Sequence, residues 1–136
     1  MVGYSGTPLS KKLGIKEGHS VVLLGAPPDF RKTLGDVPPG VTFLESLPLS
    51  PSADIVLLFV RTRTELEKSF AKSAKRIQRA GSLWVAWPKK ASKMATDMTE
   101  NVAREVGLPL GLVDNKVCAI DEIWSGLRFV WRLENR

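Results

Sequence analysis

The sequence predicts an α/β protein with a three-layer, Rossmann-like fold and a mostly parallel sheet of about six strands. Short apolar runs bounded by turn residues alternate with amphipathic helical segments, which favours parallel strands joined by right-handed crossovers. The last two predicted strands are separated only by the short polar connection DEIWSG at 121–126, which is too short for a crossover helix. We therefore expect the sheet to end in an antiparallel hairpin.

The chain begins with a predicted short helix at 7–14, which Thr7 can cap and which Gly14 can close in the left-handed conformation. Tyr4, Ser5 and Gly6 precede it, either as a segment folded over the sheet edge or as a frayed end. Continuous apolar runs of the kind found in sheets covered on both faces then predict three strands, at 20–25, 41–46 and 54–60. A short helix that packs through Phe30 follows the first strand.

The clearest predicted helix lies within RTRTELEKSFAKSAKRIQRAG at 61–81, where Thr64 and Glu67 have the spacing of a capping box and Gly81 can end the helix. Asp97 and Glu100 have the same spacing before a helix that reaches about residue 106. The remaining strands are predicted at 82–87, 112–120 and 127–133. The sequence contains no linker or internal repeat, so we expect one α/β domain, made of the helix at 7–14 and a sheet domain over 20–133.

Composition excludes several classes of protein. The apolar content of 43% and the charged content of 25% are typical of globular proteins. The single cysteine, Cys118, cannot form an intrachain disulfide, which fits a cytoplasmic location, and no Cys/His spacing indicates a metal site. The longest apolar run, at 55–60, is too short to cross a membrane. The sequence does not predict an oligomeric state.

The net charge is +6, from 20 lysines and arginines against 14 acidic residues, and it favours anionic partners. The basic residues are spread along the chain, so a basic surface without a dedicated ligand explains them better than a nucleic-acid face does. The densest group lies on the long helix and comprises Lys68, Lys72, Lys75, Arg76 and Arg79.

Two resemblances follow from particular segments. The order of strands and helices, with the phrase RAGSLWVAWP at 79–88, resembles a shortened S-adenosylmethionine-dependent methyltransferase. The segments YSGTPLSKKLGI, VVLLGAP, WVAWPKKAS and GLVDNKVCAIDEIWSGLRFV together resemble a family of small bacterial proteins, and that resemblance implies no activity. The methyltransferase resemblance implies S-adenosylmethionine as cofactor, with Glu45 at the position of the ribose-binding acid.

The turn after the first strand departs from the methyltransferase pattern. That family has a glycine-rich turn where the backbone approaches the cofactor, whereas here the strand leads into Gly25, Ala26, Pro27 and Pro28. The two prolines have no N–H to donate. One strand-helix unit of the full enzymes is also missing, so the sequence argues against cofactor binding of the usual kind.

In open α/β sheets, ligands bind beyond the carboxyl ends of the strands, where the strand order reverses. Loops at this edge provide cations, an aromatic ring as a stacking surface and a hydroxyl, which suit a small anionic or nucleotide-like molecule. The predicted ligand-binding residues are Gly25, Ala26, Pro27, Glu45, Arg61, Trp87, Lys89, Lys90 and Ser92. The alternative is a solvated loop, and Thr96 and Asp97 either add a polar site or only cap their helix.

A second group of polar residues, Asp114, Asn115 and Lys116, either forms a ligand or catalytic site or satisfies backbone groups at a bend, and the bend is favoured. Trp124 in the hairpin connection must fold back onto the core or face a partner. Cys118 is expected to be buried and, since the only histidine is the distant His19, not to be a nucleophile.

Three functions remain open from the sequence. The favoured one is a binding domain for an anionic or adenosine-containing small molecule, without catalysis being required. The alternatives are a reduced S-adenosylmethionine-dependent methyltransferase and a protein- or nucleic-acid-interaction module. No residue is assigned a catalytic role.

Overall fold

The computed structural model describes residues 7–136 and contains one six-stranded sheet. The strands are β1 (Ser20–Leu24), β2 (Thr42–Leu44), β3 (Ala53–Phe59), β4 (Ile77–Pro88), β5 (Leu112–Ala119) and β6 (Trp124–Trp131). The helices are α1 (Leu9–Lys12), α2 (Phe30–Leu34), α3 (Arg63–Ala74) and α4 (Glu100–Gly107). Tyr4, Ser5 and Gly6 lie outside the described residues.

The strand order is β2-β1-β3-β4-β6-β5. Strands β1 to β4 are parallel to one another, and β6 is antiparallel to both β4 and β5. The predicted α/β class, the mostly parallel six-stranded sheet and its antiparallel ending are therefore confirmed. Because β1 to β4 run in one direction, their carboxyl ends all meet at one edge, which we call the carboxyl edge.

Helices cover both faces of the sheet. On one face, which we call the α1–α2 face, α1 and α2 pack on side chains that include Leu57 and Trp84. On the other, the α3–α4 face, α3 and α4 pack on side chains that include Val85 and Phe129. The central strands are apolar on both faces because each face is covered by helices, and this explains their uninterrupted apolar runs.

The sequence placed the boundary between α3 and β4 incorrectly. The helix ends at Ala74 rather than near Gly81, and β4 begins at Ile77, which pairs with Ala53 of β3. Ile77 continues the apolar stripe of the helix at helical spacing, so the sequence favours a longer helix, but pairing with β3 makes the segment extended. As a result, only Lys68, Lys72 and Lys75 of the predicted basic face lie at the helix, and all three are exposed.

The helix caps also differ from the predicted ones. Thr62, rather than Thr64, caps α3, and Glu65 completes the capping box by accepting hydrogen bonds from the backbone at the cap. Thr99 caps α4 by accepting a hydrogen bond from Val102 N at 3.1 Å, in place of the predicted Asp97. Thr7 does not cap α1, because Pro8 occupies the cap position. The helix has no side-chain cap.

Gly107, the last residue of α4, lies against two aromatic rings of the core. A Cβ at this position would lie 2.6 Å from Phe129 Cε1 and 2.9 Å from Phe70 Cζ. The two rings pack edge to face with their centroids 5.1 Å apart, and both are fully buried. The glycine therefore allows α4 to approach the sheet closely.

We expect Gly107→Ala to lower the free energy of unfolding by about 1–3 kcal/mol, because the added methyl group must displace one of the rings. Urea unfolding followed by far-UV circular dichroism measures the change. Combining it with Phe129→Leu, which shortens the obstructing side chain, should cost less than the sum of the two single changes. A neutral or stabilising Gly107→Ala variant would contradict the close approach of α4.

Among residues 7–136, no helix is both long enough and apolar enough to cross a membrane.

Candidate ligand site at the carboxyl edge

The strand order reverses between β1 and β3. From β1 the chain passes to β2 on one side, and then returns to place β3 on the other side of β1. In open α/β sheets, ligands bind at such a reversal, outside the carboxyl ends of the strands. We call this position, between the loops that leave β1 and β3, the crevice. The sequence predicted a ligand at such a point, and the structure places Gly25 and Arg61 on its two sides.

Gly25 directly follows β1 and has a backbone φ of +70°, in the left-handed region. A Cβ here would lie 2.9 Å from the backbone oxygen of Phe59, the last residue of β3. A side chain is therefore excluded by both the backbone conformation and the neighbouring strand. The glycine keeps the β1 loop close to β3 and leaves the backbone accessible at the crevice.

The loop after Gly25 rests on three aromatic rings. Phe30 N donates a hydrogen bond to Pro27 O at 3.0 Å, and this bond starts α2. The Phe30 ring packs edge to face on Phe59 at 5.0 Å, and Phe59 packs in the same way on Trp124 at 5.2 Å. Because these rings lie directly under the carboxyl edge, they give the loop a rigid apolar support.

Glu45 and Arg61 are the exposed charged residues that follow β2 and β3 at this edge. Neither side chain forms a hydrogen bond or ion pair with another residue of the described range 7–136. Both charged groups are therefore available to a ligand, one as an acceptor and the other as a donor.

The free backbone N–H groups at the amino end of α3 are hydrogen-bonded by side chains of the protein itself. Glu65 Oε1 accepts hydrogen bonds from Arg61 N at 2.7 Å and Thr62 N at 3.1 Å. Asp97 Oδ1 accepts one from Arg63 N at 2.8 Å, and Thr96 Oγ1 donates to Arg61 O at 2.6 Å. Thr96 and Asp97 thus fasten the β3–α3 loop to the segment before α4, and this explains both residues without a ligand.

The structure corrects the predicted role of Trp87. Its side chain is only 6% exposed and packs in the core of the α3–α4 face. A flat stacking surface for a ligand is therefore not available at this position. The side chain turns inward because Val85 and Trp87 share one face of β4, and that face is covered by α3 and α4.

Lys89 and Ser92 stabilise local structure at the end of β4. Lys89 Nζ donates to Asp121 O at 2.6 Å and its backbone N–H donates to Ile123 O at 2.7 Å, so the β5–β6 connection is held against the edge. Ser92 Oγ donates to Lys89 O at 2.6 Å within a turn. Lys90 is exposed beside them and forms no hydrogen bond through its side chain within the described residues.

The connection between β5 and β6 is organised by Asp121, a residue that the sequence does not single out. Asp121 Oδ1 accepts hydrogen bonds from Ile123 N and Trp124 N, each at 2.8 Å. Aspartate is common at the start of turns because its side chain can accept hydrogen bonds from backbone N–H groups a few residues later, and this preference is the sequence feature that could have indicated the role of Asp121. Trp124 is buried, with 5% exposure, so it folds back onto the core rather than facing a partner.

Asp114, Asn115 and Lys116 do not form one cluster. The ladder between β5 and β6 shifts between Asp114 and Lys116, which leaves Asn115 as the extra residue of a bulge. Asp114 pairs with Arg104 of α4 at 3.1 Å, whereas Lys116 Nζ donates to Lys12 O of α1 at 2.8 Å. The two charged side chains therefore point to opposite faces of the sheet. The predicted role of the Asp114 side chain in satisfying backbone groups at a bend is not observed, because its carboxylate pairs with Arg104 instead.

Arg104 joins Asp114 to Glu100 across the α3–α4 face. Hydrogen bonds to Asp114 and then to Glu100 raise the pKa of the Arg104 guanidinium. This structural network accounts for Asp114 without a catalytic role.

Cys118 is half-buried rather than fully buried. Burial raises the pKa of its thiol, although the charges of Lys116, Lys12 and Lys89 act in the opposite direction. A raised pKa lowers the thiolate fraction and does not favour a nucleophile. Within the described part of the chain, no group of three or more His, Cys, Asp or Glu side chains could hold a metal ion.

Comparison with known proteins gives likeness of structure only. No protein-family model and no curated protein sequence matches the chain. A S-adenosylmethionine-dependent methyltransferase from Aquifex aeolicus superposes with a TM-score of 0.60 at 15% identity, over 89% of this chain and 86% of that one. The complex between the Haloferax volcanii Trm112 methyltransferase activator and a putative methyltransferase contains a chain with TM-score 0.64 and 13% identity, over 90% and 86% of the two chains.

A putative type 11 methyltransferase from Sulfolobus solfataricus gives a TM-score of 0.58 at 12% identity, with 84% of this chain and 85% of that one covered. At such identities the likeness concerns the path of the backbone and not the side chains of a site. The chain has the Rossmann-like fold of S-adenosylmethionine-dependent methyltransferases, in a short form with a six-stranded sheet.

Proposed function

We propose that this protein binds an adenosine-containing small molecule in the crevice between the β1 and β3 loops. The observation that carries the proposal is the position of Gly25, at the reversal of strand order, with no space for a side chain against Phe59 O. A turn of this kind lets a ligand approach the backbone closely, which is its use in nucleotide-binding α/β proteins.

Glu45 is the residue that would bind the ribose. It directly follows β2, the strand next to β1, and it follows Gly25 by about 20 residues, the spacing at which Rossmann-like proteins place an acid on the ribose hydroxyls. Its carboxylate is exposed and has no partner among residues 7–136. On the other side of the crevice, Arg61 would pair with an anionic group of the ligand.

The same loop disfavours a dinucleotide. Binding of a pyrophosphate requires several backbone N–H groups at the start of a helix, but Pro27 and Pro28 have none. The N–H of Phe30 is already bonded to Pro27 O. A ligand recognised through its ribose and a carboxylate, both of which S-adenosylmethionine and S-adenosylhomocysteine contain, fits the residues better.

A second candidate is methyl transfer, favoured by the fold shared with the methyltransferases. S-adenosylmethionine, when bound, would supply the methyl group, and Gly25, Glu45 and Arg61 would hold it. No residue of this chain is assigned to the acceptor. A clear preference for S-adenosylmethionine and S-adenosylhomocysteine over adenosine in calorimetric titrations would favour this candidate. Equal affinities for the three ligands would support a binding function without methyl transfer.

We expect Glu45→Gln to weaken binding of S-adenosylhomocysteine by about tenfold, because the charged acceptor for the ribose hydroxyls becomes a neutral one. Isothermal titration calorimetry at constant ionic strength measures the change. Glu17→Gln is the matched control, since Glu17 is also an exposed glutamate but lies before β1, at the opposite edge of the sheet.

The proposal fails if adenosine, S-adenosylmethionine and S-adenosylhomocysteine all leave the unfolding midpoint of the wild type unchanged at millimolar concentration. It also fails if binding is present but Glu45→Gln and Glu17→Gln reduce it equally. Loss of binding only in the Glu45 variant supports the placement of the ribose.

A further inference from the structure

A cavity of about 900 Å³ lies between α1 and α2 on the α1–α2 face of the sheet. Residues of the range 7–17, in α1 and the turn that follows it, form one wall. The end of α2 and the segment after it, over 33–38, form the opposite wall, and Ile120 at the end of β5 also lines the space. The volume is within the range of cavities that hold small molecules in proteins.

The inner part of this cavity is apolar. Ile15, Leu34 and Ile120 line it, and each is at most 5% exposed because it belongs to the hydrophobic core of the α1–α2 face. Leu9 and Val37 also line the cavity and are half-buried against the same core. An apolar part of a ligand would be removed from water against these side chains, which stabilises the bound state.

Two glycines in the walls show that the space beside them is open. A Cβ added to Gly14 or to Gly35 would meet no atom within 4 Å. The end of α1 is held by the sheet rather than by α2, because Trp84 Nε1 donates a hydrogen bond to Leu13 O. The gap between the two helices is therefore maintained by the way α1 is attached to the sheet.

The α1 wall of the cavity is positively charged. It contains Lys11, Lys12 and Lys16 against the single acid Glu17, and the opposite wall contains Asp36. Lys11 and Lys16 are exposed, and their ammonium groups form no hydrogen bond or ion pair with another of residues 7–136. These two groups are available to an anionic group of a ligand.

Positive charge also reaches the cavity from the sheet. Burial raises the pKa of the Cys118 thiol, and the charges of Lys116, Lys12 and Lys89 act against this rise. Cys118 lies two residues before Ile120 and packs on the same hydrophobic core. An anion in the cavity would therefore be attracted by cations of β5 as well as by those of the α1 wall.

We propose that the cavity between α1 and α2 binds a small amphipathic carboxylate, a molecule with an apolar chain or ring and one carboxyl group. The apolar part would occupy the inner space against Leu34 and Ile120. The carboxylate would pair with Lys11 or Lys16 at the α1 wall. A binding cavity of this kind, apolar inside with a few charged groups that fix the orientation, is typical of small-molecule sites.

The cavity is distinct from the crevice. Gly25, Glu45 and Arg61 do not line it. Its walls include residues that precede β1 and residues that follow α2, whereas the crevice lies beyond the end of β1. The inference consequently does not depend on the proposed adenosine site.

The test is calorimetric titration with decanoate and with decyltrimethylammonium, which have chains of equal length and opposite charges. The wild type is expected to bind decanoate, and to bind it about tenfold more tightly than the cation. Val37→Trp, which places a large ring in the cavity, should weaken decanoate binding by about tenfold or more. Thr33→Trp is a second cavity-filling variant at an exposed helical position, where the fold tolerates the change, and Thr64→Trp on α3 is its matched control.

The charge of the α1 wall is tested separately. Lys11→Gln combined with Lys16→Gln should weaken decanoate binding by about fivefold, because the partners of the carboxylate are removed. Lys68→Gln combined with Lys72→Gln removes the same charge from exposed positions of α3 and should leave the affinity unchanged. Glu45→Gln should leave it unchanged as well, which separates this inference from the proposed function.

Decanoate binding that is weakened in Thr33→Trp and in the Lys11 and Lys16 double variant, but not in their controls, supports the site. The inference is overturned if decanoate does not bind, or if Thr33→Trp binds it as tightly as Thr64→Trp does. It is also overturned if decyltrimethylammonium binds as tightly as decanoate, or if the two double lysine variants lose affinity equally.

Discussion

Trp84→Ala is expected to lower the free energy of unfolding by about 3–5 kcal/mol, the cost of removing a large aromatic side chain from a packed core. Trp84 is fully buried in the central strand β4 and is among the largest side chains of the core. Its ring fills the space above Gly126, where an added Cβ would lie 3.1 Å from the ring atom Cε3. Small neighbours of this kind cannot expand to fill the cavity.

The same side chain also holds α1 on the sheet. Trp84 Nε1 donates a hydrogen bond to Leu13 O, just after α1, at 3.1 Å, and both groups are buried. Without the donor, the carbonyl of Leu13 loses its partner in an apolar environment, which adds to the cost. We therefore expect α1 to become accessible to proteases in the variant before the rest of the chain does.

Urea unfolding followed by circular dichroism measures the first effect, and limited proteolysis measures the second. Trp84→Phe is the control that separates them, because it keeps most of the apolar volume and removes the donor. It should be less destabilising than Trp84→Ala but should still loosen α1. A loss below about 1 kcal/mol for Trp84→Ala would contradict the packing of this strand, since such values are typical of surface positions.

Gly25→Ala is expected to lower the free energy of unfolding by about 2–4 kcal/mol, from left-handed backbone strain together with a clash. The φ of +70° is costly for any residue with a Cβ, and the Cβ would stand 2.9 Å from Phe59 O. The oxygen belongs to the backbone of β3, so it cannot rotate away as a side chain can. Either the β1 turn or the end of β3 must move.

Gly18→Ala separates the two causes. Gly18 has a similar φ of +76°, but a Cβ there would meet nothing within 4 Å. The control therefore reports the strain alone, and Gly25→Ala should be clearly more destabilising in the same urea titration. Equal losses for the two variants would show that β3 does not constrain the Gly25 turn.

The strands could be predicted because their sequence pattern has one physical cause. Strands β1, β3 and β4 are covered by helices on both faces, and continuous apolar runs such as 55–60 result directly from this burial. The start of β4 could not be predicted in the same way. Residues 78–80 are exposed and lack an apolar run, and their extended conformation depends on pairing at Ala53, which is distant in sequence.

The cap of α3 shows a second limit. The sequence RTRTELEK contains two overlapping capping boxes, Thr62 with Glu65 and Thr64 with Glu67, and local spacing favours neither. The structure selects the first, in which Asp97, a residue distant in sequence, bonds the next N–H of the helix at Arg63. Tertiary contacts, not spacing, decide where this helix begins.

The position of the candidate site at the carboxyl edge could be predicted from the sequence, but the roles of its individual side chains could not. Strand order and direction follow from the elements, so the carboxyl edge and the residues near it could be predicted. The direction of a side chain cannot be read from a strand that is apolar on both faces, so the sequence predicts Trp87 as a ligand surface although its ring packs in the core. Lys89 was assigned to a ligand because its acceptor, Asp121 O, belongs to a distant loop.

The bulge at Asn115 affects how the sheet ends. Strand β5 is the outermost strand on its side, and its outer row of backbone groups would otherwise be a template for strand addition by another chain. The extra residue at the bulge interrupts the regular spacing of these groups, and Lys116 places a charge beside it. The irregularity that separates Asp114 from Lys116 thus also protects this edge against aggregation through β-strand pairing.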